Sequence, residues 1–454
     1  MQGLTWDPEL IKRYNINGPR YTSYPTALLL AEPFDHDLVK QALAATNDRL
    51  SLYIHLPFCH KLCYYCGCNK VITRHQDKAD TYLDALELEL QYYQPLIAHR
   101  GVGALHLGGG TPTFLTEEQL TRLMLMIEQH LSLDVHAGHE ISIEIDPRSC
   151  SLDKLTHLRK LGFNRVSYGI QDLDANVQIA INRVQEESML DAIIKHSKEL
   201  GFNSINLDLI YGLPLQTPET FAYTLKKTIA WAPDRISLFS YAHLPSRFPS
   251  QRKIKDDTMP TADTKLSLLQ LGIEEFSEAG YQCIGMDHFA LPTDELAQMQ
   301  REGKLQRNFQ GYTTHGSNAL LGLGSSSISQ INGVIWQNEK ELNKYYGCIE
   351  QQQLPVVKGV SLTHDDTIRA DLIAEIICHF SLDTVAFAKK WNIDFESYFA
   401  DSLARLKPFI NDSLVERTAT HIFVTEAGRL LVRSICSTFD IYLQQGQQSY
   451  SKVI

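Results

Sequence analysis

Four cysteines crowd into one short stretch, Cys59-His60-Lys61-Leu62-Cys63-Tyr64-Tyr65-Cys66-Gly67-Cys68, which follows the apolar run Ser51–Pro57. The apolar run predicts a buried strand, so the cysteines lie on the loop at its carboxyl end. Thiolates grouped on one short loop suit a compact iron–sulfur cluster, because the irons of such clusters are held by cysteine sulfur. The stretch therefore predicts a cluster site directly after the strand.

Other uses of these thiols stay open from the residues alone. A structural zinc site usually takes its cysteines as two separated pairs, and no second pair follows here. A thioredoxin-like motif needs only Cys63 and Cys66, which leaves Cys59 and Cys68 unexplained. Zinc, or thiols that are merely buried, would make the chain a binding or electron-transfer module without catalysis.

The composition is that of an ordinary globular protein, since 44% of the 454 residues are hydrophobic and 21% are charged. A chain of this length can form two or three compact units. The formal net charge of −11 argues against a nucleic-acid partner. It also means that an anionic substrate must be attracted by local arginines.

The N-terminus and the remaining cysteines indicate a reduced, cytoplasmic protein. Met1–Asp7 lacks the basic and apolar regions of a signal peptide, and no apolar run approaches the ~18–20 residues of a transmembrane helix. The other cysteines stand singly, which is typical of cytosolic chains. We therefore expect a cytoplasmic protein with no membrane insertion.

Short apolar runs alternate with longer amphipathic ones from Ser51 to about Met286. This alternation predicts an α/β fold whose parallel sheet is curved as a (β/α)6 barrel or part of one. The candidate strands are Leu52–Leu56, Ala104–Leu107, Glu140–Ile145, Arg165–Ile170, Ser204–Ile210 and Arg235–Ser240. The candidate helices lie near residues 78–98, 117–132, 152–161, 187–200, 218–231 and 263–279.

Polar clusters follow nearly every candidate strand. Any one of them could be a surface loop or a satisfied polar group in the core, but ligands of such folds collect at the carboxyl ends of the strands. Carboxylates and amides there suit a ligand with hydroxyl and amino groups, which are donors in need of acceptors. The clusters are Gly108–Thr113, Glu144 with Asp146, Gly169–Asp172, Asn206–Asp208 and Tyr241–His243.

The sequence predicts three domains. Residues 1–50 form an N-terminal arm over the active site, residues 51–335 form the barrel and its closing edge, and residues 336–454 form a mostly helical domain. The arm contains Gly18-Pro-Arg-Tyr-Thr-Ser-Tyr-Pro-Thr26, which either packs as an ordered turn or presents Arg20 to an anion. The helical domain has a short strand signal at His421–Val424, and Thr425–Arg429 is expected to open its last helix.

Motifs along the whole chain resemble known enzymes. The C-x3-C-x2-C part of the cysteine stretch resembles the signature of the radical S-adenosylmethionine (SAM) superfamily. Together with Gly18–Thr26, Cys66-Gly-Cys-Asn-Lys70, Gly108–Thr113 and Gly285-Met-Asp-His-Phe289, the chain resembles the oxygen-independent coproporphyrinogen III oxidases of bacterial haem biosynthesis. The resemblance runs from about residue 10 to Ile454 and implies a partial barrel of the radical SAM type.

The resemblance implies a [4Fe-4S] cluster on Cys59, Cys63 and Cys66, with its fourth iron open to SAM and with Cys68 as a surplus thiol that could act in catalysis. It implies two SAM molecules. The first would contact Tyr53, Gly109, Glu144 and Ile328. The second would contact Tyr65, Gly110, Thr111, Gln171, Arg183, Asp208 and Ala242. Arg20 would bind a substrate propionate, and Arg183 could instead be part of a surface ion pair.

The activity that the resemblance implies is oxidative decarboxylation of two propionates of coproporphyrinogen III to vinyls, which gives protoporphyrinogen IX. An electron from the reduced cluster would cleave SAM to a 5′-deoxyadenosyl radical, which removes hydrogen from the propionate β-carbon. The expected partners are this porphyrinogen, an unidentified reductant and an electron acceptor, and the expected state is a monomer. A haem chaperone and a haem-degrading radical SAM methyltransferase are related alternatives.

Two residues depart from the pattern of that family. Tyr65 stands where the family often has Phe, and Ser240 stands where Asn is expected. Both departures concern the geometry of the second SAM site and leave the implied reaction class unchanged.

Overall fold

The computed structural model describes residues 6–45, 47–133, 135, 138–314 and 319–444. The chain groups into two compact units. The barrel unit comprises Leu30–Thr264 and Ser317–Ser361, and the second unit comprises Met1–Leu29, Lys265–Gly316 and Leu362–Ile454. The predicted domain boundaries near residues 50 and 335 stay a prediction, and the outer ends of the predicted domains, residues 1–5 and 445–454, lie outside the described residues.

Strands and helices alternate along most of the chain. The strands are β1 (Leu50–Leu56), β2 (Phe58–Cys59), β3 (Val71–Ile72), β4 (Val102–Gly109), β5 (Glu140–Ile145), β6 (Arg165–Gln171), β7 (Ser204–Tyr211), β8 (Arg235–Ser240), β9 (Gln282–Gly285), β10 (His288–Ala290), β11 (Gln306–Asn308), β12 (Gly311–Thr313), β13 (Ala319–Leu323), β14 (Ile328–Ile331), β15 (Val334–Asn338), β16 (Val356–Ser361), β17 (Ser381–Asp383), β18 (Val415–Arg417) and β19 (His421–Val424). The α-helices are α1 (Pro8–Tyr14), α2 (His36–Ala45), α3 (Asp77–Ile97), α4 (Glu117–Leu131), α5 (Leu152–Lys160), α6 (Ala175–Ala180), α7 (Glu187–Glu199), α8 (Pro218–Ala230), α9 (Ala262–Glu278), α10 (Glu295–Arg301), α11 (Leu342–Glu350), α12 (His364–His379), α13 (Thr384–Trp391), α14 (Phe395–Tyr398), α15 (Ala400–Asn411), α16 (Val432–Cys436) and α17 (Ile441–Gln444).

The barrel unit is built on a curved sheet whose strands follow the order β16-β15-β14-β13-β1-β4-β5-β6-β7-β8. The strands β1 and β4 to β8 are all parallel to their neighbours, and helices connect β4 to β8 in succession. The predicted α/β partial barrel is therefore confirmed. The six predicted strands all appear, since their hydrophobic runs are bounded by glycine and polar residues.

Four further strands extend the sheet beyond β1. β13 lies parallel to β1, and β14, β15 and β16 follow as antiparallel neighbours. Antiparallel neighbours need only short connections, and β14 and β15 are joined by Asn332-Gly333, both with positive φ. The part of the predicted closing edge that begins at Ala319 thus continues the sheet, whereas residues 287–316 belong to the second unit.

Side chains of the parallel strands alternate between apolar and polar. On β7, Ile205, Leu207 and Leu209 are buried, whereas Asn206 and Asp208 between them are half-buried. Successive side chains of a strand point to opposite faces, so one face of the sheet is apolar and the other is polar. The polar face of the barrel unit is available for a ligand.

A buried carboxylate holds the loop between β13 and β14. Glu89 on α3 has no exposed surface, and its Oε2 accepts hydrogen bonds from the Gly324 amide at 2.8 Å and the Tyr345 hydroxyl at 2.6 Å. Its Oε1 accepts one from the Asn338 amide at 2.7 Å. Burial raises the pKa of Glu89 to about 7, although the three donors oppose this shift.

We expect Glu89 to make stability depend on pH. Because its folded-state pKa of about 7 lies above the ordinary value of 4.5, the folded protein keeps a proton that the unfolded chain releases. The free energy of unfolding should therefore fall as pH rises from about 4.5 to about 7, by roughly 2–3 kcal/mol. Denaturant unfolding of the wild type and of Glu89→Gln across this range should show that the variant lacks this part of the slope. Glu128→Gln, at an exposed position, should keep it, and equal slopes in all three proteins would contradict the assignment.

Hydrogen bonds within the second unit hold the N-terminal segment in place. The Tyr21 hydroxyl donates to Asp440 at 3.0 Å, and the Arg433 guanidinium donates to the carbonyl of Gly18 at 2.6 Å. Tyr21 and Tyr24 are buried, at 5% and 3% exposure. The two tyrosines therefore pack within this unit and offer little surface to a ligand.

The C-terminal helices and strands agree only in part with those predicted from the sequence. The predicted strand at His421–Val424 is confirmed as β19, the middle strand of an antiparallel sheet with β17 and β18. The expected helix opening at Thr425–Arg429 is wrong, because this stretch is a turn and a 3-10 turn at Arg429–Leu431 leads into α16. The Thr425 hydroxyl accepts from the Gly428 amide at 3.2 Å, which stabilises the turn.

No helix in the described part of the chain is both long and apolar enough to span a membrane.

Candidate functional site

The cysteine loop follows β1, and a small two-stranded sheet joins its two ends. β2 pairs parallel with β3, so that the loop is closed at its base by Phe58 beside Val71 and by Cys59 beside Ile72. Cys59 and Cys63 are each 8% exposed, Cys66 is half-buried and Cys68 is exposed. The first three thiols thus differ from the fourth in burial.

Each of the buried or half-buried thiols accepts a different donor. The Thr111 hydroxyl lies 3.4 Å from the Cys59 sulfur, and burial raises the pKa of Cys59 to about 12. A hydrogen bond from Cys68, supported by the charge of Lys70, lowers the pKa of Cys66 to about 6. Cys63 accepts from two arginines, which are described below.

The thiols fit a cluster better than a single ion. Among the described residues, no three His, Cys, Asp or Glu side chains converge on one point as the ligands of a single metal ion do. The thiolates of an iron–sulfur cluster each bind a different iron, so they need a common loop but no common point. Cys59, Cys63 and Cys66 meet that requirement.

The glycines after β4 are required by close contacts. A Cβ at Gly109, where φ is +115°, would lie 2.7 Å from the His55 ring, and one at Gly110 would lie 2.6 Å from the Pro57 carbonyl. The Gly109 amide donates to Glu144 Oε2 at 3.2 Å. Only glycine fits here, because His55 and Pro57 occupy the space that a Cβ would need.

Tyr53 and Glu144 lie on the polar face next to His106. The rings of Tyr53 and His106 stack at 5.9 Å, and the Tyr53 hydroxyl is 3.1 Å from His55 Nδ1. His106 Nε2 lies 3.4 Å from Glu144 Oε1, and its Nδ1 lies 2.7 Å from the Ser142 hydroxyl. The residues expected at the first SAM site from β1, β4 and β5 are thus neighbours.

Asp208 sits in a second polar group on the same face. Its carboxylate accepts from Ser167 at 3.0 Å and from Asn206 at 2.8 Å, and Ser237 donates to Asn206 at 3.2 Å. Burial raises the pKa of Asp208 to about 6, and the charge of Glu144 adds to the shift.

Arg183 and Gln171 form a third group. Arg183 is 5% exposed and donates from Nη2 to the Gly169 carbonyl at 2.6 Å and from Nη1 to Asp146 at 3.1 Å. The alternative that Arg183 is part of a surface ion pair is therefore wrong. Its buried Nε and the buried Oε1 of Gln171 have no hydrogen-bond partner among the described residues, which fits a polar ligand between them.

Two arginines converge on Cys63. Arg183 Nη1 lies 3.4 Å from the Cys63 sulfur, and Arg148 Nη2 lies 3.2 Å from it. Burial alone would raise the pKa of Asp146, but the charges of Arg183 and Arg148 outweigh it and hold the pKa at about 2. Asp146 is therefore ionised and fixes both guanidinium groups.

The remaining expected residues are placed as follows. The Gln251 amide donates to the carbonyls of Tyr65 at 3.0 Å and Ala242 at 3.2 Å, which brings these two residues of the expected second SAM site together. Ile328 begins β14, and its carbonyl lies close to Gly322, which is aligned with Tyr53 on β1.

Arg20 lies in the second unit, where its Nη1 donates to Asp287 at 2.8 Å. The Arg20 side chain is 40% exposed. It therefore keeps surface that a ligand could contact.

Several polar residues of the site were not expected from the sequence. Three of them, His106, Ser142 and Ser167, lie two positions from an expected residue on the same face of a strand, so the period of two would have identified them. Arg148 directly follows Asp146-Pro147 but gave no pattern of its own. The unexpected residues are His106, Ser142, Arg148, Ser167, Ser237 and Gln251.

Two family models match the chain. The radical SAM superfamily matches residues 53–228, and the HemN C-terminal domain matches residues 362–431. The first match begins within β1 and contains the cysteine loop and the strands up to β7. The curved parallel sheet with its thiol loop therefore defines a radical SAM protein.

Close relatives narrow the class. A protein from Salmonella typhimurium named oxygen-independent coproporphyrinogen III oxidase is 52% identical, over 100% of this chain and 99% of its own. One of the same name from Pseudomonas aeruginosa is 47% identical over 99% of both. A solved structure of coproporphyrinogen III oxidase from Escherichia coli, described as a radical SAM enzyme, matches with a TM-score of 0.93 and 51% identity, over 97% of this chain and all of that one. The chain belongs to the family of oxygen-independent coproporphyrinogen III oxidases and is an enzyme.

Proposed function

We propose that this chain decarboxylates two propionates of coproporphyrinogen III to vinyls, as a step of haem biosynthesis that needs no oxygen. The observation that carries the proposal is the arrangement of the barrel unit, in which three thiols on one loop adjoin a polar face. On this face the buried Arg183 Nε and Gln171 Oε1 have no hydrogen-bond partner in the described part of the chain. The names of the close relatives support the same substrate and an oxidation of it.

The family implies a [4Fe-4S] cluster and SAM, and we propose Cys59, Cys63 and Cys66 as the cluster ligands. When bound, these groups supply an electron and, from SAM, a radical that removes hydrogen from carbon. Cys68, exposed and bonded to Cys66, is the thiol left without an iron, and a catalytic role for it stays a proposal.

Two SAM molecules are proposed for the polar face. Tyr53, Gly109, Glu144 and Ile328 would hold the first. The groups around Asp208 and Arg183 would hold the second, with Tyr65, Gly110, Thr111, Gln171 and Ala242. Carboxylates accept from ribose hydroxyls and amino groups, and an arginine fork matches the carboxylate of SAM.

An apolar cluster beside Tyr65 would keep solvent from this end of the site. The cluster is formed by Val177, Ile181, Ile210 and Leu213, and Tyr65 packs on it. A closed site excludes side reactions of a radical, as the proposed chemistry requires.

An anaerobic assay tests the function. The reconstituted protein is incubated with coproporphyrinogen III, SAM and a reductant, and the oxidised porphyrin products are separated. We expect protoporphyrin with two vinyls and consumption of SAM. SAM cleavage without any vinyl product would overturn this substrate and favour another radical SAM activity.

Other partners and the state of the protein remain part of the proposal. We infer a cytoplasmic monomer that takes electrons from a separate reductant and passes them to a separate acceptor. Nine free cysteines support a reducing compartment, because thiolate ligands must stay reduced to hold iron.

Arg20 is expected to bind a propionate of the substrate. Arg20→Gln should raise the KM for coproporphyrinogen III about tenfold, because it removes one charged donor from a carboxylate. The free energy of unfolding should change by only about 0–1 kcal/mol, since the pair with Asp287 is partly exposed. Arg13→Gln, which breaks an exposed pair with Asp412, is the control. An unchanged KM for the Arg20 variant would remove Arg20 from the site.

A further inference from the structure

We propose that Arg148 tunes the reduction potential of the cluster through the sulfur of Cys63. The proposal rests on the cluster that the family implies and on Cys63 as one of its ligands. It assigns a role to a residue that is placed at neither SAM site.

Arg148 is held rigidly against Cys63. It lies in the turn Pro147–Ser149 after β5, where Asp146 Oδ1 accepts from its Nε at 3.0 Å and Oδ2 accepts from its Nη2 at 2.7 Å. The same Nη2 lies 3.2 Å from the Cys63 sulfur. A guanidinium group that is held by two hydrogen bonds to Asp146 also keeps its contact with the Cys63 sulfur fixed.

The environment of Cys63 differs from that of the other proposed ligands. Cys59 accepts from a hydroxyl and Cys66 from a thiol, whereas Cys63 accepts from two guanidinium groups. The side chains of Arg148, Arg183 and Asp146 are only 12%, 6% and 14% exposed. Two cations and one anion leave a net positive charge beside this one sulfur, little screened by water.

Arg183 and Arg148 have different roles. No described residue accepts from the buried Nε of Arg183, which can still bind SAM. Arg148 uses its Nε and Nη2 on Asp146 and Cys63, and its Nη1 donates to the Asn182 carbonyl at 3.4 Å. Because its Nε and Nη2 are engaged by Asp146 and Cys63, Arg148 acts on the cysteine sulfur and not on SAM.

A positive charge at a ligand sulfur favours the reduced cluster. Reduction adds one electron, and hydrogen bonds to the sulfurs together with nearby charge set the potential of an iron–sulfur cluster. Arg148 therefore makes the electron easier to accept from the reductant.

The experiment is a potentiometric titration of the reconstituted protein without SAM, followed by electron paramagnetic resonance. For Arg148→Gln we expect the equilibrium constant of one-electron reduction to fall about tenfold, which is about 59 mV toward more negative potential. Arg122→Gln, which removes a cation bound to Asp84 and Glu87 on the surface, is the matched control and should keep the wild-type potential.

The outcomes separate this role from a structural one. A wild-type potential in a fully loaded Arg148→Gln variant would overturn the proposal. Should that variant fail to take up iron, Arg148→Lys decides, because it keeps the charge and loses the fork. We expect a smaller negative shift for it, and a wild-type potential would again overturn the proposal. Failure of the overall function would appear separately, as missing vinyl product from the wild type.

A different observation supports a second inference, that Arg307 binds a carboxylate of the substrate, which rests on the proposed function. Arg307 lies on β11, and its guanidinium carbon is 4.7 Å from the centre of the Tyr312 ring. Its Nη2 donates to the Arg20 carbonyl at 3.5 Å. Its Nε and Nη1 are buried, and no described residue accepts from them.

Buried guanidinium donors without acceptors are costly, and an oxygen of a substrate carboxylate could accept from either of them. Coproporphyrinogen carries four propionates, so a net −11 protein needs such local cations to bind it. Arg307 and Arg20 lie next to each other in the second unit and together supply two such cations.

The test measures binding of coproporphyrin III, the stable oxidised form, by quenching of protein fluorescence. Arg307→Gln should bind at least about tenfold more weakly, with cluster iron and reductive SAM cleavage unchanged, whereas the exposed Arg301→Gln should bind as the wild type does. If the Gln variant is unstable, Arg307→Lys is measured in its place. It should also bind coproporphyrin III several-fold more weakly than the wild type does. Unchanged binding by the variants would overturn this inference alone, and absence of binding by the wild type would overturn the proposed substrate as well.

Discussion

Replacing Cys63 with serine should abolish the cluster, whereas replacing Cys68 with serine should leave it in place. A cubane that keeps one iron open for SAM has room for three protein thiolates, and we propose Cys59, Cys63 and Cys66. Cys63 is buried between Arg148 and Arg183, where a serine hydroxyl cannot replace a thiolate ligand. Iron, sulfide and visible absorbance of the anaerobically reconstituted variants measure the difference.

The pair of variants is its own control, because both make the same substitution on the same loop. The Cys68 thiol is exposed and only donates to Cys66, so that serine can keep the donor there. Equal loss of iron in both variants would contradict the assignment and favour a site with four cysteines. Full iron content in both would show that neither thiol is a ligand.

Arg183→Lys should reduce SAM binding by about tenfold or more. A lysine supplies one point charge and no planar fork, so it cannot bind a carboxylate bidentately while it also bonds Asp146. Isothermal titration with SAM on the cluster-loaded protein measures the affinity. Because Arg183 is buried and bonds the Gly169 carbonyl and Asp146, we also expect about 1–3 kcal/mol of lost stability.

A comparison with a surface arginine separates the two effects. Arg122→Lys changes an exposed ion pair and should alter neither SAM affinity nor the midpoint of unfolding. If Arg183→Lys lost stability but kept the SAM affinity of the wild type, Arg183 would be a structural residue that fixes Asp146 and Cys63.

Part of the candidate site could be predicted from local pattern. Gly109 and Gly110 were expected beside a ligand, and the contacts that a Cβ would make with His55 and Pro57 show that packing within the protein also requires glycine there. Glu144 and Asp208 were expected as polar groups on successive strands, and the strands bring both to one face. The roles of these residues toward SAM stay predictions.

The burial of other residues could not be predicted from the sequence. Arg183 looked as much like a surface residue as a buried one, because charge alone does not say what surrounds it. Tyr21 and Tyr24 lie in the same segment as Arg20, yet they are buried within the second unit and are packing residues. Nothing in the pattern around Glu89 showed that it would be fully buried under the loop of Gly324.

The sequence by itself determined the curved parallel sheet, the thiol loop at the end of its first strand and the resemblance to one family of radical SAM enzymes. These features depend on the period of apolar residues and on spacing within a few residues, which are local properties of the chain. The tertiary structure alone decided that Asp146, Arg148 and Arg183 converge on Cys63, although up to 120 residues separate them from it. Parallel strands joined by crossover helices bring such distant segments together, so contacts between their ends follow from the fold and from no local signal.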